Sequence, residues 1–386
     1  MGRSLRPGAA VRRVYARFSS VTRHTQYVIR KQTILLLACA PLFGQQYTIS
    51  TVAGGSAGAP LTNPTSVVVD ASGNIYVGDW SGFIHKFWSR NGAVTTVAGT
   101  GVLGYSGDGG QATNAQIGRS INLALDGAGN LYIADGANNR IRRVELSTGI
   151  ITTVTSAVTN PTGITVDTEG NLYFSSGWSQ VKKWTAATGA IQTLGGQVVN
   201  GFSGDNGPAA NALFWDPVPG AVNGAGDVYL ADFENSRIRR IAARTGTVNT
   251  IVGTGACPVG LPPLNITVCQ GGFGGDGGPA QNATLNYAEA VALDASGNLY
   301  IADTINHRIR RVDATTGFIY TIAGNGVNGL SGDGGPATAA EMTFPVGLAV
   351  DAGGRVYFAD ESNNCIRVLT PTVTAQPDRL RQRPRP

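Results

Sequence analysis

Short apolar runs separated by polar turns recur along most of the chain. In six places, two apolar runs flank a turn of the form D-x-x-G-N or a close variant of it. Asp favours such a turn because its carboxylate bonds to the backbone two residues on, and Gly accepts the positive φ that the turn requires. Each copy therefore predicts a β-hairpin. The six copies occupy residues 66–79, 122–135, 163–176, 220–232, 290–303 and 347–360.

Two further apolar runs follow the hairpins, which predicts four consecutive antiparallel strands in each unit. In the second copy these runs are NRIRRV at 139–144 and ITTVTS at 151–156. The first turn residue recurs after 56, 41, 56, 71 and 57 residues, and the shortest step matches the repeat of about 40 residues of a propeller blade. The longer steps add a Gly-rich insert to one connection. The turn residues that set these steps are Asp70, Asp126, Asp167, Asn223, Asp294 and Asp351.

The two ends of the repeat region complement each other. The last copy supplies three strands and stops at 368–370, whereas the segment YTISTVAG at 47–54 matches the fourth-strand segment VTTVAG at 94–99. We predict that the amino-terminal strand completes the sixth blade, which closes the ring and removes the open sheet edges. The predicted fold is all-β: a six-bladed β-propeller of four-stranded antiparallel blades over 47–370.

The repeated motifs resemble a known family. D-x-x-G-N-[LI]-Y-[IV]-A-D followed by N-x-R-I-R-[RK] is similar to the NHL repeat, and the insert SGDGGPA at 331–337 resembles those of teneurins and of many secreted bacterial NHL proteins. The resemblance implies a propeller. It does not imply one function, because NHL propellers include RNA binders, protein-binding sensors and a lyase.

The charge distribution argues against a nucleic-acid partner. The chain of 386 residues has a formal net charge of +5, but residues 1–44 carry eight Arg or Lys and no acidic residue, and residues 371–386 carry four Arg and one Asp. The 45–370 body is left with 17 basic and 23 acidic residues. An acidic body releases few counterions from a phosphate backbone, so we expect no nucleic-acid binding.

The amino-terminal segment has the layout of a secretory signal. Arg30 and Lys31 precede the apolar run at 33–43, which is too short for the ~20 residues that span a bilayer. We predict a signal over 28–45, a spurious or disordered extension over 1–27 and a secreted, periplasmic or cell-surface protein without a membrane span. The alternatives are a buried strand or helix at 33–43 and lipid attachment at Cys39. The Pro- and Arg-rich segment 371–386 is predicted to be a disordered tail.

Export permits disulfides. Cys257 and Cys269 flank a short Pro-rich insertion and are the natural pair. Cys365 is then left over, and we expect it to be a buried free thiol.

Residues that recur in every copy are interpreted as structural. The second-strand aspartates Asp79, Asp135, Asp232, Asp303 and Asp360 are expected to bond within their own blades, Asp135 for example to Asn139 or Arg140; the alternative is a carboxylate ring along the channel. The Gly-Asp inserts are expected to be compact turns that need no cofactor, since one carboxylate each is few for Ca²⁺; a Ca²⁺ site is the alternative. The insert aspartates are Asp108, Asp205, Asp276 and Asp333.

Function is better sought where the copies differ, and all five Trp fall between residues 80 and 215. Trp80, Trp178 and Trp215 lie in connections that share one face of a meander propeller. His85, Lys86, Lys182 and Lys183 follow on the third strands. Aromatic residues beside cations are typical of binding hot spots. The ligand-binding candidates are Trp80, His85, Lys86, Trp178, Lys182 and Trp215, although these Trp could also merely pack.

These observations predict a secreted, non-catalytic, monomeric scaffold that binds a protein or glycan on the face that carries these connecting loops. Few His are available for a zinc site, which usually takes three protein ligands, so the lyase of the family is a poor match. The alternative is a calcium-assisted hydrolase or lactonase-like enzyme at the channel mouth. Such a site would use channel-facing Glu, Asn and Asp, and Glu289 alone lies near the start of a first strand.

Overall fold

The computed structural model describes residues 45–55, 61–119, 121–254 and 271–372. The expected extension at 1–27, the expected signal segment up to residue 44, the Cys257–Cys269 pair and residues 373–386 of the expected tail lie outside these residues. Pro371, the first residue of the expected tail, is described and still belongs to the last strand. In the part of the chain that is described, no helix is long and apolar enough to cross a membrane.

Six antiparallel sheets follow one another along the chain, which confirms the predicted six-bladed propeller. The amino-terminal strand is β1 (Tyr47–Gly54). Blade 1 contains β2 (Pro64–Val69), β3 (Ile75–Asp79), β4 (Ile84–Phe87) and β5 (Val94–Ala98). Blade 2 contains β6 (Ile121–Leu125), β7 (Asn130–Asp135), β8 (Arg140–Glu145) and β9 (Ile150–Thr155). Blade 3 contains β10 (Ile164–Val166), β11 (Leu172–Ser176), β12 (Gln180–Trp184) and β13 (Ile191–Gly195).

The second half of the ring repeats this order. Blade 4 adds a short edge strand, β14 (Gly207–Pro208), to β15 (Pro217–Val222), β16 (Val228–Asp232), β17 (Arg237–Ile241) and β18 (Thr247–Val252). Blade 5 contains β19 (Ala288–Leu293), β20 (Leu299–Asp303), β21 (Arg308–Val312) and β22 (Ile319–Ala323). Blade 6 contains β23 (Pro345–Val350), β24 (Val356–Asp360) and β25 (Cys365–Pro371).

Single turns of 3₁₀ helix occur in two kinds of connection. Those between the second and third strands are Gly136–Asn138, Phe233–Asn235, Thr304–Asn306 and Glu361–Asn363. Those in the Gly-rich inserts are Ala112–Asn114, Ala209–Asn211, Ala280–Asn282 and Ala337–Ala339.

The ring is closed by the amino-terminal strand, as predicted. β1 pairs with β25 from Tyr47 opposite Pro371 to Gly54 opposite Cys365. Gly54 has a φ of 73°, and a Cβ there would lie 2.2 Å from the carbonyl oxygen of Asn364. Gly99 at the end of β5 is just as restricted, so the shared V-A-G sequence reflects one backbone requirement of these two fourth strands.

Apolar residues of neighbouring blades pack against each other in six clusters. The cluster between blades 1 and 2, for example, joins Ile84 and Ala98 to Leu123 and Ile133. Cys365 lies in the interior as a buried free thiol, as predicted.

Charged groups fasten the inserts to this core. Four arginines with no exposed side-chain surface, one in each of blades 2, 4, 5 and 6, bond to the carboxylate of an insert Asp. The pairs are Arg142–Asp108, Arg239–Asp205, Arg310–Asp276 and Arg367–Asp333, at 2.7, 3.0, 2.7 and 2.7 Å. The repeated Arg and Asp residues are thus structural.

The second-strand aspartates bond within their blades, but the expected partners of Asp135 were wrong. Its carboxylate accepts hydrogen bonds from the Asn138 side chain and the Gly118 N–H at 2.9 Å, rather than from Asn139 or Arg140. The 3₁₀ turn is the reason, because it directs Asn138 back toward the strand end. Asn139 instead lies in the left-handed region and accepts a bond from the Asn160 N–H of blade 3.

Candidate functional site

One end of the propeller gathers the turns between second and third strands and the segments that lead from blade to blade; we call it the loop face. Direct bonds join the two kinds of connection. The Trp80 N–H donates to the Thr62 carbonyl at 3.0 Å, and the Asp216 N–H donates to the Trp178 carbonyl at 2.7 Å. The structure therefore places Trp80 and Trp178 on the face where they were predicted.

The three predicted Trp differ in accessibility. Trp80 is 44% exposed and Trp178 is 54% exposed. Trp215 is half-buried, and its backbone N–H donates to the buried Asp232 carboxylate at 2.7 Å. Trp80 and Trp178 therefore offer most of the aromatic surface, while Trp215 helps to position the segment before β15.

The predicted cations do not gather around these Trp. Lys86 lies 3.9 Å from the Asp70 carboxylate, in the turn at the opposite end of blade 1, and 3.7 Å above the ring of Trp88. It therefore does not join Trp80. His85 is half-buried with its ring 5.4 Å from that of Phe83, and burial lowers the pKa of its imidazole.

Lys182 lies in the middle of β12, opposite Phe174 and Thr193, and is half-buried. The structure thus does not bring Lys182 to the turn that holds Trp178. Whether any of the six candidates binds a ligand remains a prediction.

A small cavity opens at the centre of the loop face, where the first strands begin. Its volume is about 150 Å³, and we call it the mouth cavity. Beneath it runs a channel of about 330 Å³ lined by the first strands. The residues that line the mouth cavity are Thr65, Trp80, Asn122, Thr162, Asp216, Val218, Phe233, Glu289 and Glu361.

The repeat explains why these residues meet. Five of them occupy the same position in five blades, the second residue of the first strand or its equivalent: Thr65, Asn122, Thr162, Val218 and Glu289. In blades 1 and 5 the strand register shifts across this position, and such bulges redirect side chains. Trp80, Phe233 and Glu361 come from a second ring, because each directly follows a second-strand Asp.

Asp216 belongs to a third set of positions, left-handed residues on the segments that lead into first strands. Its φ is 51°, and Asn63 and Asn160 occupy the same place with φ values of 46° and 38°. Asn and Asp are the non-glycine residues that adopt this conformation most readily. The hydroxyl of Thr162 donates to the Asp216 carboxylate at 3.1 Å, which joins blade 3 to blade 4 beneath the mouth cavity.

The carboxyl groups of the mouth cavity are harder to ionise than usual. Burial raises the pKa of Glu289 to about 8, and repulsion from Glu361 and Asp216 adds to the shift. Burial likewise raises the pKa of Asp216 to about 6 against the hydrogen bond from Thr162, and it raises the pKa of Glu361. Such shifts mark candidate functional sites.

The neighbouring aromatic residues are held in place. Phe233 packs edge-on against Tyr287, with ring centroids 5.2 Å apart, and burial, reinforced by the Glu234 carboxylate, raises the pKa of the Tyr287 hydroxyl. By contrast, no hydrogen bond or ion pair reaches the Glu289 side chain from the described residues. The mouth cavity therefore has a fixed aromatic wall and an unpaired carboxyl group.

Sequence reasoning singled out Trp80 and, within the hydrolase alternative, Glu289, but it missed Asp216, Phe233 and Glu361. Two signals were available. Asp216 replaces the Asn that precedes the first strand in blades 1 and 3, and Phe233 and Glu361 occupy a variable position between conserved repeat residues of the same chain. Only the closed ring shows that these positions face each other.

The insert aspartates are already engaged. Besides its pair with Arg142, Asp108 accepts the Thr153 N–H at 3.1 Å and the Tyr105 hydroxyl at 2.9 Å. Few of its lone pairs are left for Ca²⁺, which takes six to eight oxygens. In the residues that the structure describes, no three His, Cys, Asp or Glu side chains lie close enough together to hold a metal ion.

Comparison with known proteins agrees with the architecture. The model of the NHL repeat matches residues 285–312 and 342–369, which span the first three strands of blades 5 and 6. The chain contains NHL repeats. In this NHL-repeat propeller, the other four blades keep the same strand order. In each of them the side chain of the first turn residue accepts the N–H groups two and four residues on; these turn residues are Asp70, Asp126, Asp167 and Asn223.

Similar proteins carry such repeats within longer chains. NHL repeat-containing protein 2 of Gallus gallus is 27% identical over 81% of this chain and 47% of its own length. Teneurin-1 of Homo sapiens is 30% identical over 56% of this chain and 8% of its own length. This NHL-repeat chain thus spans less than half the length of the curated relatives it matches.

Among solved structures, an auxiliary nutrient binding protein from Bacteroides thetaiotaomicron superposes with a TM-score of 0.60 at 15% identity. The match covers 84% of this chain and 76% of that one. At this identity the likeness establishes the fold alone.

Proposed function

We propose that this NHL-repeat propeller is an exported, non-catalytic binding protein that holds a protein or glycan ligand on its loop face, across the mouth cavity. The observation that carries the proposal is the concentration of exposed apolar surface there. Trp80 lines the mouth cavity, Trp178 is exposed on the same face, and the tips of three inserts supply aliphatic side chains. Those aliphatic residues are Val102, Leu103, Val198, Val199, Val327 and Leu330.

The insert tips are fixed to the loop face. In blades 2, 4 and 6, the 3₁₀ turn between the second and third strands ends in an Asn. The side-chain amide of this Asn donates to a backbone carbonyl at the base of the neighbouring insert tip. The bonds are Asn138 to Gly104, Asn235 to Gly201 and Asn363 to Gly329, at 2.7, 2.8 and 2.8 Å. A rigid apolar rim around a polar cavity is a common form of binding surface. The nutrient-binding propeller of the same fold offers a precedent.

The experiment is a glycan-array and pull-down screen with the full chain, followed by Trp80→Ala and Trp178→Ala. We expect at least one change to weaken binding by about thirtyfold, since a hot-spot residue contributes about 2 kcal/mol or more. Trp88→Ala is the matched control, because Trp88 is 40% exposed but lies at the other end of blade 1. Binding that survives both changes, or that falls equally with Trp88→Ala, contradicts the proposed face.

Export is tested separately. Charged substitutions in the apolar run at 33–43 should retain the protein inside the cell, whereas the unchanged chain should be recovered outside the cytoplasm with its amino terminus near residue 46. Recovery of full-length protein from the cytoplasm alone would refute export.

A calcium-assisted hydrolase at the channel mouth is the second candidate. The observation that favours it is Glu289, because a carboxyl group protonated near neutral pH can serve as a general acid. Ester and lactone turnover with and without Ca²⁺, measured for the unchanged protein and Glu289→Gln, distinguishes the two functions. Turnover that depends on both Glu289 and Ca²⁺ would replace the binding proposal.

A further inference from the structure

The mouth cavity lacks a balancing positive charge. Three of its lining residues are carboxylic acids, Asp216, Glu289 and Glu361, and its described lining contains no Lys, Arg or His. Glu289 is half-buried in the lining of the cavity, and its carboxyl group has no hydrogen-bond partner among the described residues. Three carboxyl groups around one small cavity repel one another when they ionise, so a cation in the cavity would stabilise their charged forms.

The aromatic residues of the cavity are also without a cation. Elsewhere the protein stacks its own cations on aromatic rings: Lys86 lies 3.7 Å from the centre of Trp88, and Arg140 lies 3.6 Å from that of Tyr105. No such partner covers Trp80 or Phe233 within the described residues. Trp80 is 44% exposed and Phe233 is half-buried, and both line the cavity beside the three carboxyl groups. Aromatic rings and carboxylates both attract a cation.

We propose that the mouth cavity binds the ammonium group of an organic cation, with Glu289 as its counter-ion and Trp80 and Phe233 as its aromatic wall. The proposal rests on the proposed function and names the chemistry that the ligand presents at the centre of the loop face. The cavity volume corresponds to roughly five waters at ~30 Å³ each, which suits a small headgroup rather than a whole ligand. Side-chain oxygens of Asn122 and Thr162 supply polar contacts at the rim of the cavity.

Binding should be coupled to proton release. Near neutral pH the Glu289 carboxyl is largely protonated, and a bound cation stabilises its ionised form. Asp216 and Glu361 face Glu289, and Asp232 and Glu234 lie behind Asp216. All of these groups are acids, so ionisation of any of them adds negative charge near the cavity and strengthens cation binding as the pH rises.

The test is calorimetric titration of the full chain with choline, which does not titrate, and with its neutral analogue 3,3-dimethyl-1-butanol. We expect choline to bind more tightly than the neutral analogue and its affinity to increase between pH 6 and pH 9. Glu289→Gln should weaken choline binding at least about tenfold, the loss typical of a charged partner, and should flatten the pH profile. Glu169→Gln is the control, because Glu169 is exposed in a turn at the far end of blade 3.

Equal binding of the neutral analogue, or choline binding that Glu289→Gln leaves unchanged, overturns the inference. Ca²⁺ that displaces choline and is itself lost in Glu289→Gln also overturns it, in favour of a metal site. If a loop-face partner depends on Trp80 while choline fails to bind, the proposed function stands and this inference falls. If choline binds as expected but no loop-face partner is found, the cation site stands and the proposed function falls.

Discussion

Asp108→Asn tests how strongly a buried ion pair fastens an insert to its blade. The Asp108 carboxylate lies 2.7 Å from the Arg142 guanidinium, whose side chain has no exposed surface. Within the described residues, the guanidinium also donates hydrogen bonds to the carbonyl oxygens of Gln116 and Ser106. Asp108 is therefore the only carboxylate that forms a direct ion pair with Arg142 in the described part of the chain, and Asp135 interacts with it only at longer range. Replacement of Asp108 leaves the buried guanidinium without a directly bonded counter-ion.

The expected loss follows from the burial of the two partners. Removing one side of a fully buried pair costs about 3 to 5 kcal/mol, but the Asp108 side chain is 31% exposed and solvent screens part of the interaction. We expect the free energy of unfolding to fall by about 2 to 3 kcal/mol.

Asp276→Asn is the matched control in blade 5. Asp276 is 34% exposed and lies 2.7 Å from Arg310, so the ion pair itself is nearly the same, although Asp108 also accepts hydrogen bonds from the Tyr105 hydroxyl and the Thr153 N–H. Arg310, however, retains a second carboxylate, that of Asp303 at 3.4 Å. We expect a loss of about 1 kcal/mol, typical of one hydrogen bond.

The assay is urea denaturation of the full chain. The two variants are compared with the same value of m, the slope of the unfolding free energy against urea concentration. Equal losses in the two variants would refute the argument that the second carboxylate makes the difference. A loss below about 0.5 kcal/mol in Asp108→Asn would show that the insert is not held by charge.

Four further predictions concern pH, thiol reactivity, ring closure and metal ions. The folded pKa of Glu289 is raised above its unfolded value, so its ionisation opposes folding as the pH rises from about 4.5 to 8. The free energy of unfolding of Glu289→Gln should therefore increase relative to that of the unchanged protein in this range, by at most about 1.4 kcal/mol per pH unit. A difference between the two proteins that stays constant across the range would refute the raised pKa of this carboxyl group. Burial raises the pKa of the Cys365 thiol to about 12, so alkylation at pH 8 should require unfolding, and rapid labelling of the native protein would contradict this. Ile49→Ala in the closing strand should cost about 2 to 5 kcal/mol, like Ile309→Ala in blade 5, since both side chains are buried; a negligible loss for Ile49→Ala alone would mean that closure adds no stability. A chelator should leave the melting temperature unchanged if the insert aspartates are held by arginine, and a lower melting temperature would indicate bound Ca²⁺.

The fold could be predicted from the sequence because its signals are local and repeated. Each hairpin turn is specified within five residues, as in blade 2, where the Asp126 carboxylate accepts the N–H groups of Ala128 and Asn130 at 2.9 and 2.8 Å. The closing strand was predictable for a similar reason, since Gly54 and Gly99 meet the same backbone restriction.

The candidate site could be predicted only in part. Asp216, Glu289 and Glu361 are more than 70 residues apart from one another in sequence, and only ring closure brings them to one cavity. The side-chain direction of Lys86 also escaped prediction, because a third strand runs from the loop face to the opposite end and the Lys86 side chain extends toward the latter. Contacts between blades depend on such directions, which alternating hydrophobicity does not encode.

The sixth blade takes its fourth strand, β1, from the start of the chain and its third strand, β25, from the end. This arrangement has a consequence for how the architecture can change in evolution. The gene can be divided into units that each encode the fourth strand of one blade and the first three strands of the next blade. Such a unit does not coincide with one blade, so each unit connects two adjacent sheets. Duplicating or deleting a unit in the middle of the gene would add or remove one wedge of the ring and leave the joining strands at the two ends untouched. The joint therefore permits variation in blade number, while each added wedge would widen the central opening and alter which side chains meet there.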